Sequence, residues 1–180
     1  MPRWLSGQLL VASPTISDPH FARTVVLVVD HDDDGALGIV LNRPTDTVIE
    51  VAVPDLAEMF DADEVVHEGG PVQPEALLTV AEFRDPAEAA LLVLGRIGMV
   101  RGDDDAERPL VDRARAYAGY AGWAPAQLEQ ELEEDDWLVL DARPDDLFQP
   151  DASRLWHLAL ERLGGPFALL AHVPEDPSVN

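Results

Sequence analysis

Six polar side chains, scattered over three short motifs, have the types that acid–base chemistry needs. Asp18 and His20 lie in Asp18-Pro19-His20-Phe21, with Arg23 just after; Asn42 and Arg43 precede Pro44; Glu68 opens Glu68-Gly69-Gly70-Pro71. A histidine moves protons near neutrality, a carboxylate can orient it, and an arginine can grip a carboxylate or phosphate. Brought to one place, Asp18, His20, Arg23, Asn42, Arg43 and Glu68 would suffice for an acid–base or hydrolytic pocket. Each also has an architectural use. Asp18 can cap the turn at Pro19, and Arg43 with Glu68 can tie two loops together, as ion pairs often do.

Gly69-Gly70 poses a similar choice. Consecutive glycines can present a concave set of N–H groups to an anion, or simply turn the chain tightly. No Lys-Ser/Thr follows them, and His67-Glu68 lacks the second histidine of a zinc-protease helix, so neither a phosphate loop nor that metal motif is present. A tight turn is the favoured reading, and an anion can share it.

Other polar stretches carry less chemistry. Asp30, Asp32, Asp34 and Gly35 sit at positions 1, 3, 5 and 6 of a calcium-loop pattern, but position 12 is Leu41, where a bidentate Glu is needed. A solvated hairpin turn is expected instead, and Asp103-Asp104-Asp105 reads as a surface loop. Cysteine is absent, which removes thiolate nucleophiles, disulfides and cysteine-held metals. There is no G-x-S-x-G elbow, and nothing marks Ser13, Ser17 or Thr24 as a nucleophile. His157 and His172, within apolar runs, read as core histidines. Tyr120, Trp123 and Trp156 read as core or groove aromatics, since a base-stacking platform would have basic neighbours. No metal and no cofactor is expected, and a non-enzymatic role is favoured over catalysis.

The elements that must position these residues are mostly strands. Gln8–Ala12 is a first strand, and the unbroken run Val25–Val29 suits a strand buried on both faces. Leu37–Leu41 is a second such run, joined to it as a hairpin across Asp32-Asp33-Asp34-Gly35 and stopped at Asn42-Arg43-Pro44. Pro54 opens a short helix with Leu56, Met59 and Phe60 inward. Strands follow at Val65–His67 and Leu77–Phe83, with a brief helix capped by Asp85 between the second of these and the next strands, Leu91–Leu94 and Arg96–Val100. A period of two from Arg113 to Tyr120 predicts another strand. Pro125 starts a helix that buries Leu128 and Leu132 and turns Glu129, Glu131, Glu133 and Glu134 to water. Trp137–Leu140 is a strand, Ser153 caps a helix through Leu163 closed by Gly164-Gly165-Pro166, and Leu169–Val173 is a last strand. Strands outnumber helices without regular alternation, which predicts an α+β fold.

Length and charge bound the rest. At 180 residues the chain suits one domain, spanning 1–180 with 1–6 and 174–180 peripheral. No run approaches the roughly 20 apolar residues of a membrane span, and Ser6-Gly7-Gln8 interrupts the N-terminus too soon for a signal peptide; cytoplasmic residence without membrane attachment is expected. Acids number 35 against 12 basic residues, all arginine, for a net charge of −23. Such a field repels polyanions and anionic lipid, so direct nucleic-acid binding is disfavoured, although an acidic proteome background explains the same bias. The partner expected is a small ligand or another protein; oligomeric state is left open.

Five blocks in order along the chain carry a resemblance. They are Gly7–Pro14 with Asp18–Val26, Gly35–Pro44, Glu68–Val72, Gly119–Trp123 with Gln127-Leu128-Glu129, and the tail Pro174–Ser178. Together they resemble the bacterial YqgE/AlgH family over almost the whole chain. One departure is visible: Ala124 and Ala126 stand where the family usually has glycines around Pro125, which stiffens the helix entry. The resemblance implies a bifurcated, mostly antiparallel sheet, partly barrel-like and surrounded by helices. It also implies a regulatory association, since one branch is described as a transcriptional regulator of alginate synthesis, while other members have no assigned activity. No basic recognition helix or arm accompanies it here.

Overall fold

The computed structural model describes residues 4–102 and 107–173. In chain order it comprises β1 (Gln8–Ala12), β2 (Val25–Asp32), β3 (Gly35–Val40), β4 (Pro44–Val48) and helix α1 (Ile49–Ala52). Next come β5 (Val65–Glu68), β6 (Val72–Phe83), β7 (Leu91–Leu94), β8 (Ile97–Met99) and β9 (Val111–Trp123). The chain then forms α2 (Gln127–Glu133), β10 (Trp137–Asp141), α3 (Pro144–Leu147), α4 (Leu155–Leu163) and α5 (Gly165–Leu170). The strands build one large sheet in the order β10-β1-β2-β3-β9-β6-β8-β7, as the α+β reading requires. The sheet ends at β10 and β7 and does not close into a barrel. All its pairings are antiparallel except β5 with β9.

The expected bifurcation lies at β9. Along one edge β9 pairs with β6 from Val111 to Tyr120; β5 joins it at Tyr117-Ala118 and β3 at Ala121–Trp123. Because β5 also pairs with β4, the fork brings the segment after β3 back beside β9.

Burial on both faces explains the apolar runs. Val25, Leu27 and Val29 of β2 pack with Leu9, Ile39, Trp156 and Leu160 on the face covered by α4. The alternate Val26 and Val28 pack with Leu10, Trp123, Leu128 and Trp137 on the opposite face. The β2–β3 hairpin forms as expected, with the Asp34 N–H donating to Asp32 Oδ1 in its turn.

Several expectations are corrected. β3 ends at Val40, ahead of Asn42-Arg43-Pro44, but Pro44 is not only a stop, since it begins β4; a proline is tolerated as the first residue of a strand, and Thr45 anchors β4 by donating its hydroxyl to Val66 O. Ser153 does not cap α4: its hydroxyl goes to Asp151, and a 3₁₀ turn at Ala152–Arg154 leads into the helix. Leu169–Val173 is not a strand. Gly165–Leu170 is helical, with Pro166 in its first turn, and the short apolar run fits either period until Phe167 packs against the α4 core. The Asp103-Asp104-Asp105 loop and the tail block Pro174–Ser178 lie outside the described residues.

Candidate functional site

The three motif-bearing loops meet, as the chemistry would need. The Arg43 guanidinium donates to the carbonyls of His20 and Pro19, both at 2.8 Å, and of Ala22 at 3.3 Å. Beside it Asn42 is buried; its Oδ1 accepts from Val25 N–H at 2.9 Å and its Nδ2 donates to Arg23 O at 2.8 Å. Glu68 enters through its backbone, the N–H donating to Arg43 O at 2.8 Å, while its carboxylate stands 4.0 Å from Arg43 Nη1. The sequence therefore converges on one place, but the bonds run from side chains to backbone.

That pattern bears on the acid–base reading. Asp18 Oδ1 takes the backbone N–H of His20 at 2.8 Å, which is turn capping and not orientation of an imidazole. His20 itself is exposed. Arg23 adopts a left-handed backbone (φ 56), lies 5.0 Å from the Trp156 ring centroid and donates to Val173 O. At the glycine turn, Gly69 N–H is already given to Ala118 O and its carbonyl accepts from Val40 N–H. A Cβ on Gly70 would lie 2.1 Å from Tyr120 C, so Gly70 permits a close backbone crossing at the fork. The tight-turn reading fits these positions.

Two constellations escaped the sequence reading. One is a buried polar cluster at the fork. Arg115, 7 % exposed, donates from Nε to Glu64 Oε1 at 3.1 Å and from Nη1 to the carbonyls of Leu147 and Gln149. His67 lies 4.0 Å from the same Glu64 oxygen and within hydrogen-bond reach of Val65 O. Burial, and then the Arg115 charge, lower the His67 pKa to about 4, so its ring is neutral at pH 7. The fully buried Tyr117 ring packs 5.6 Å from His67, and burial pushes its phenol well above the usual range. The alternation Ala114-Arg115-Ala116-Tyr117 placed Arg115 and Tyr117 together on one side of a strand. Only the chain on that side could show that it is covered.

The other constellation is a cleft of ≈ 410 Å³ on the opposite face of the sheet, between the Asp18–Phe21 loop and α2. Trp123 and Trp137 contribute rings 6.0 Å apart and nearly perpendicular, with Phe21 5.7 Å from Trp137. Both indole N–H groups donate to Glu131 Oε2 at 2.8 Å, and Gln127 Nε2 donates to Glu131 Oε1 at 2.9 Å. Asp18 and Asp136 also line the cleft. Of the helix acids expected to face water, Glu133 and Glu134 do, whereas Glu131 binds two tryptophans and Glu129 meets the buried His31 Nε2 at 2.9 Å. A capped indole pair was detectable only as Trp123 and Trp137 flanking a glutamate-rich helix, a weak signal. Trp123 and Trp156 are buried and Tyr120 half-buried, as core or groove aromatics should be. His157 is half-buried edge-on to Trp156, whereas His172 is exposed and not a core residue, because α5 ends before it.

Comparison with known proteins extends the likeness from motifs to the whole chain. A family model described as AlgH-like matches residues 9–168. A UPF0301 protein of Streptomyces coelicolor is 44% identical over 184 residues, covering 98% of this chain and 95% of its own. One from Mycobacterium ulcerans is 42% identical, covering 97% and 90%. Among solved structures, a Corynebacterium diphtheriae protein, DIP2367, superposes with a TM-score of 0.85 at 30% identity, covering 94% of this chain and 92% of that one. The AlgH protein of Pseudomonas aeruginosa gives 0.70 at 31% identity, covering 98% and 97%. No helix among the described residues is long and apolar enough to cross a membrane.

Proposed function

Because this chain belongs to the AlgH-like family, we propose that it serves as a cytoplasmic ligand- or protein-binding regulatory domain, not as an enzyme. The observation that supports this most is the use made of Arg43. Its guanidinium is committed to three backbone carbonyls, and Asn42 and Asp18 are likewise committed to backbone groups. Residues that could have formed a reactive pocket instead weld three loops into a rigid platform, and rigid platforms suit recognition. Action through direct DNA contact is not part of this reading. Arg84, Arg96, Arg113, Arg115 and Arg162 are each paired with a carboxylate, which reduces any basic stripe.

The test is a thermal-shift panel of nucleotides, sugar phosphates, divalent metals and small organic ions, followed by turnover assays on whatever binds. A ligand of the native state must raise the melting temperature by mass action. The expected result is a stabilising ligand or partner that is not chemically altered. Turnover abolished by His20→Ala would instead establish the alternative, an enzyme using Asp18, His20, Arg43 and Glu68, whose support is that the three segments carrying them converge and the His20 side chain is exposed.

A further inference from the structure

We propose that a second cavity, bordered by the 3₁₀ turn Pro54–Met59 and by the chain after β8 and before β9, binds a small zwitterion with an apolar body, an apolar α-amino acid or a dipeptide of such residues. The inference rests on the ligand-binding function proposed above and gives it a ligand class and a place. The cavity measures ≈ 770 Å³, within the range of small-molecule sites.

Its charged groups are uncommitted. Two arginines, Arg101 and Arg108, and three acids, Asp55, Glu88 and Glu107, line it. Among the described residues, none of the five makes an ion pair or a side-chain hydrogen bond. Elsewhere the pattern is the reverse. Arg84, Arg96, Arg113, Arg115 and Arg162 each hold a carboxylate at 2.6–3.1 Å, and Arg43 and Asp18 are given to backbone groups. A guanidinium fork matches a ligand carboxylate, and a carboxylate accepts from an ammonium. One cavity therefore offers both halves of a zwitterion a partner.

The field of the molecule separates the ligand classes. A net charge of −23 repels a simple anion, and the acids beside the two arginines add to that repulsion. A simple cation leaves both guanidinium groups without a partner. A zwitterion has no net charge for the field to act on, and each of its ends meets the opposite sign. The floor sets the rest. Val53, Leu56, Met59, Val100 and Pro109 are half-buried, so part of their apolar surface stays open to a ligand. Met59 and Val100 are backed by the core residues Ala81, Phe83 and Ala114. An apolar body laid on that floor is stabilised by the area it removes from water.

Titration calorimetry of the full-length protein tests this with L-leucine and leucyl-leucine, at least one of which should bind saturably. For whichever binds, 4-methylpentanoate and 3-methylbutylamine, which keep the leucine side chain but lose one charge each, should bind at least about tenfold more weakly. Glycine, which keeps both charges and loses the apolar body, should give no saturable heat. Arg101→Gln and Arg108→Gln, both at exposed positions, should each weaken binding about three- to tenfold while circular dichroism shows the fold retained. Equal affinity for either single-charge analogue overturns the zwitterion assignment, and equal affinity for glycine overturns the role of the floor. Binding unchanged in the double variant Arg101→Gln/Arg108→Gln overturns the site. Silence of both leucine and leucyl-leucine overturns the proposal outright, and the function proposed above then survives only if a member of its panel binds. A panel silent throughout sinks both.

Discussion

Arg43 is where the loop platform can be undone by one substitution. Its planar fork reaches three carbonyls at once, which a lysine, a single point charge on a flexible stem, cannot reproduce. Arg43→Lys should therefore lower unfolding stability by roughly 1–3 kcal/mol, and Arg43→Met by at least as much, measured by urea denaturation. His67 supplies a second, pH-dependent expectation. Its folded pKa, about 4, lies below its ordinary 6.5, so the unfolded chain binds more protons between those values. The contribution is complete above pH 6.5, falls as pH drops toward 4, and amounts to about 3 kcal/mol at most. In His67→Gln the difference in stability from the parent protein should shrink across that window. A parallel offset at every pH would disprove the assignment.

Glycine and its replacement matter most where elements join. Gly70, φ +152, crosses β9 so closely that a methyl group would meet backbone, so Gly70→Ala should cost about 3 kcal/mol or more, or prevent folding. Ala126 shows the converse. It precedes α2 with φ 64, a left-handed conformation that an L-residue with a Cβ adopts at about 1–2 kcal/mol. Ala126→Gly should relieve that strain, less the ~0.4–1 kcal/mol of added unfolded-chain entropy, for a net gain of roughly 0.5–1 kcal/mol in a thermal melt. The position was visible in the sequence as a departure from the family's usual glycine; the handedness of its backbone was not. The same division runs through the other elements. Val25–Val29 and Leu37–Leu41 declared themselves because burial on both faces leaves an unbroken apolar run. β4 and α5 did not, since Pro44 reads as a stop and Phe167–Leu170 fits either period. Of the candidate site, the convergence of loops was legible from the places of Asp18, Asn42, Arg43 and Glu68 beside the ends of central strands. The cleft was not, because Glu131 shows its role only once Trp123 and Trp137 arrive from two strands.

At the scale of the whole molecule, a net charge of −23 opposes compaction. Some of it is absorbed locally: Arg96 bridges Glu82 and Asp112, Arg113 bridges Glu82 and Asp145, and Arg84 also meets Asp112, whose carboxyl the Arg96 and Arg84 hydrogen bonds hold below its usual range. Repulsion among the remaining acids should dominate, so the melting temperature should rise as sodium chloride is raised from a few millimolar to about 0.15 M, where the screening length is about 8 Å. A fall would mean that the arginine network outweighs the repulsion. β9 carries one further consequence, for the order of assembly during synthesis. β3, β5 and β6 all wait for a strand that begins at Val111, and β1 has one of its two neighbours in β10, beginning at Trp137. A nascent chain shorter than that holds the β2–β3 hairpin but lacks the partner that joins it to β6, so the fold should condense late, and amino-terminal fragments should remain protease-sensitive and prone to aggregation until the forked strand has emerged.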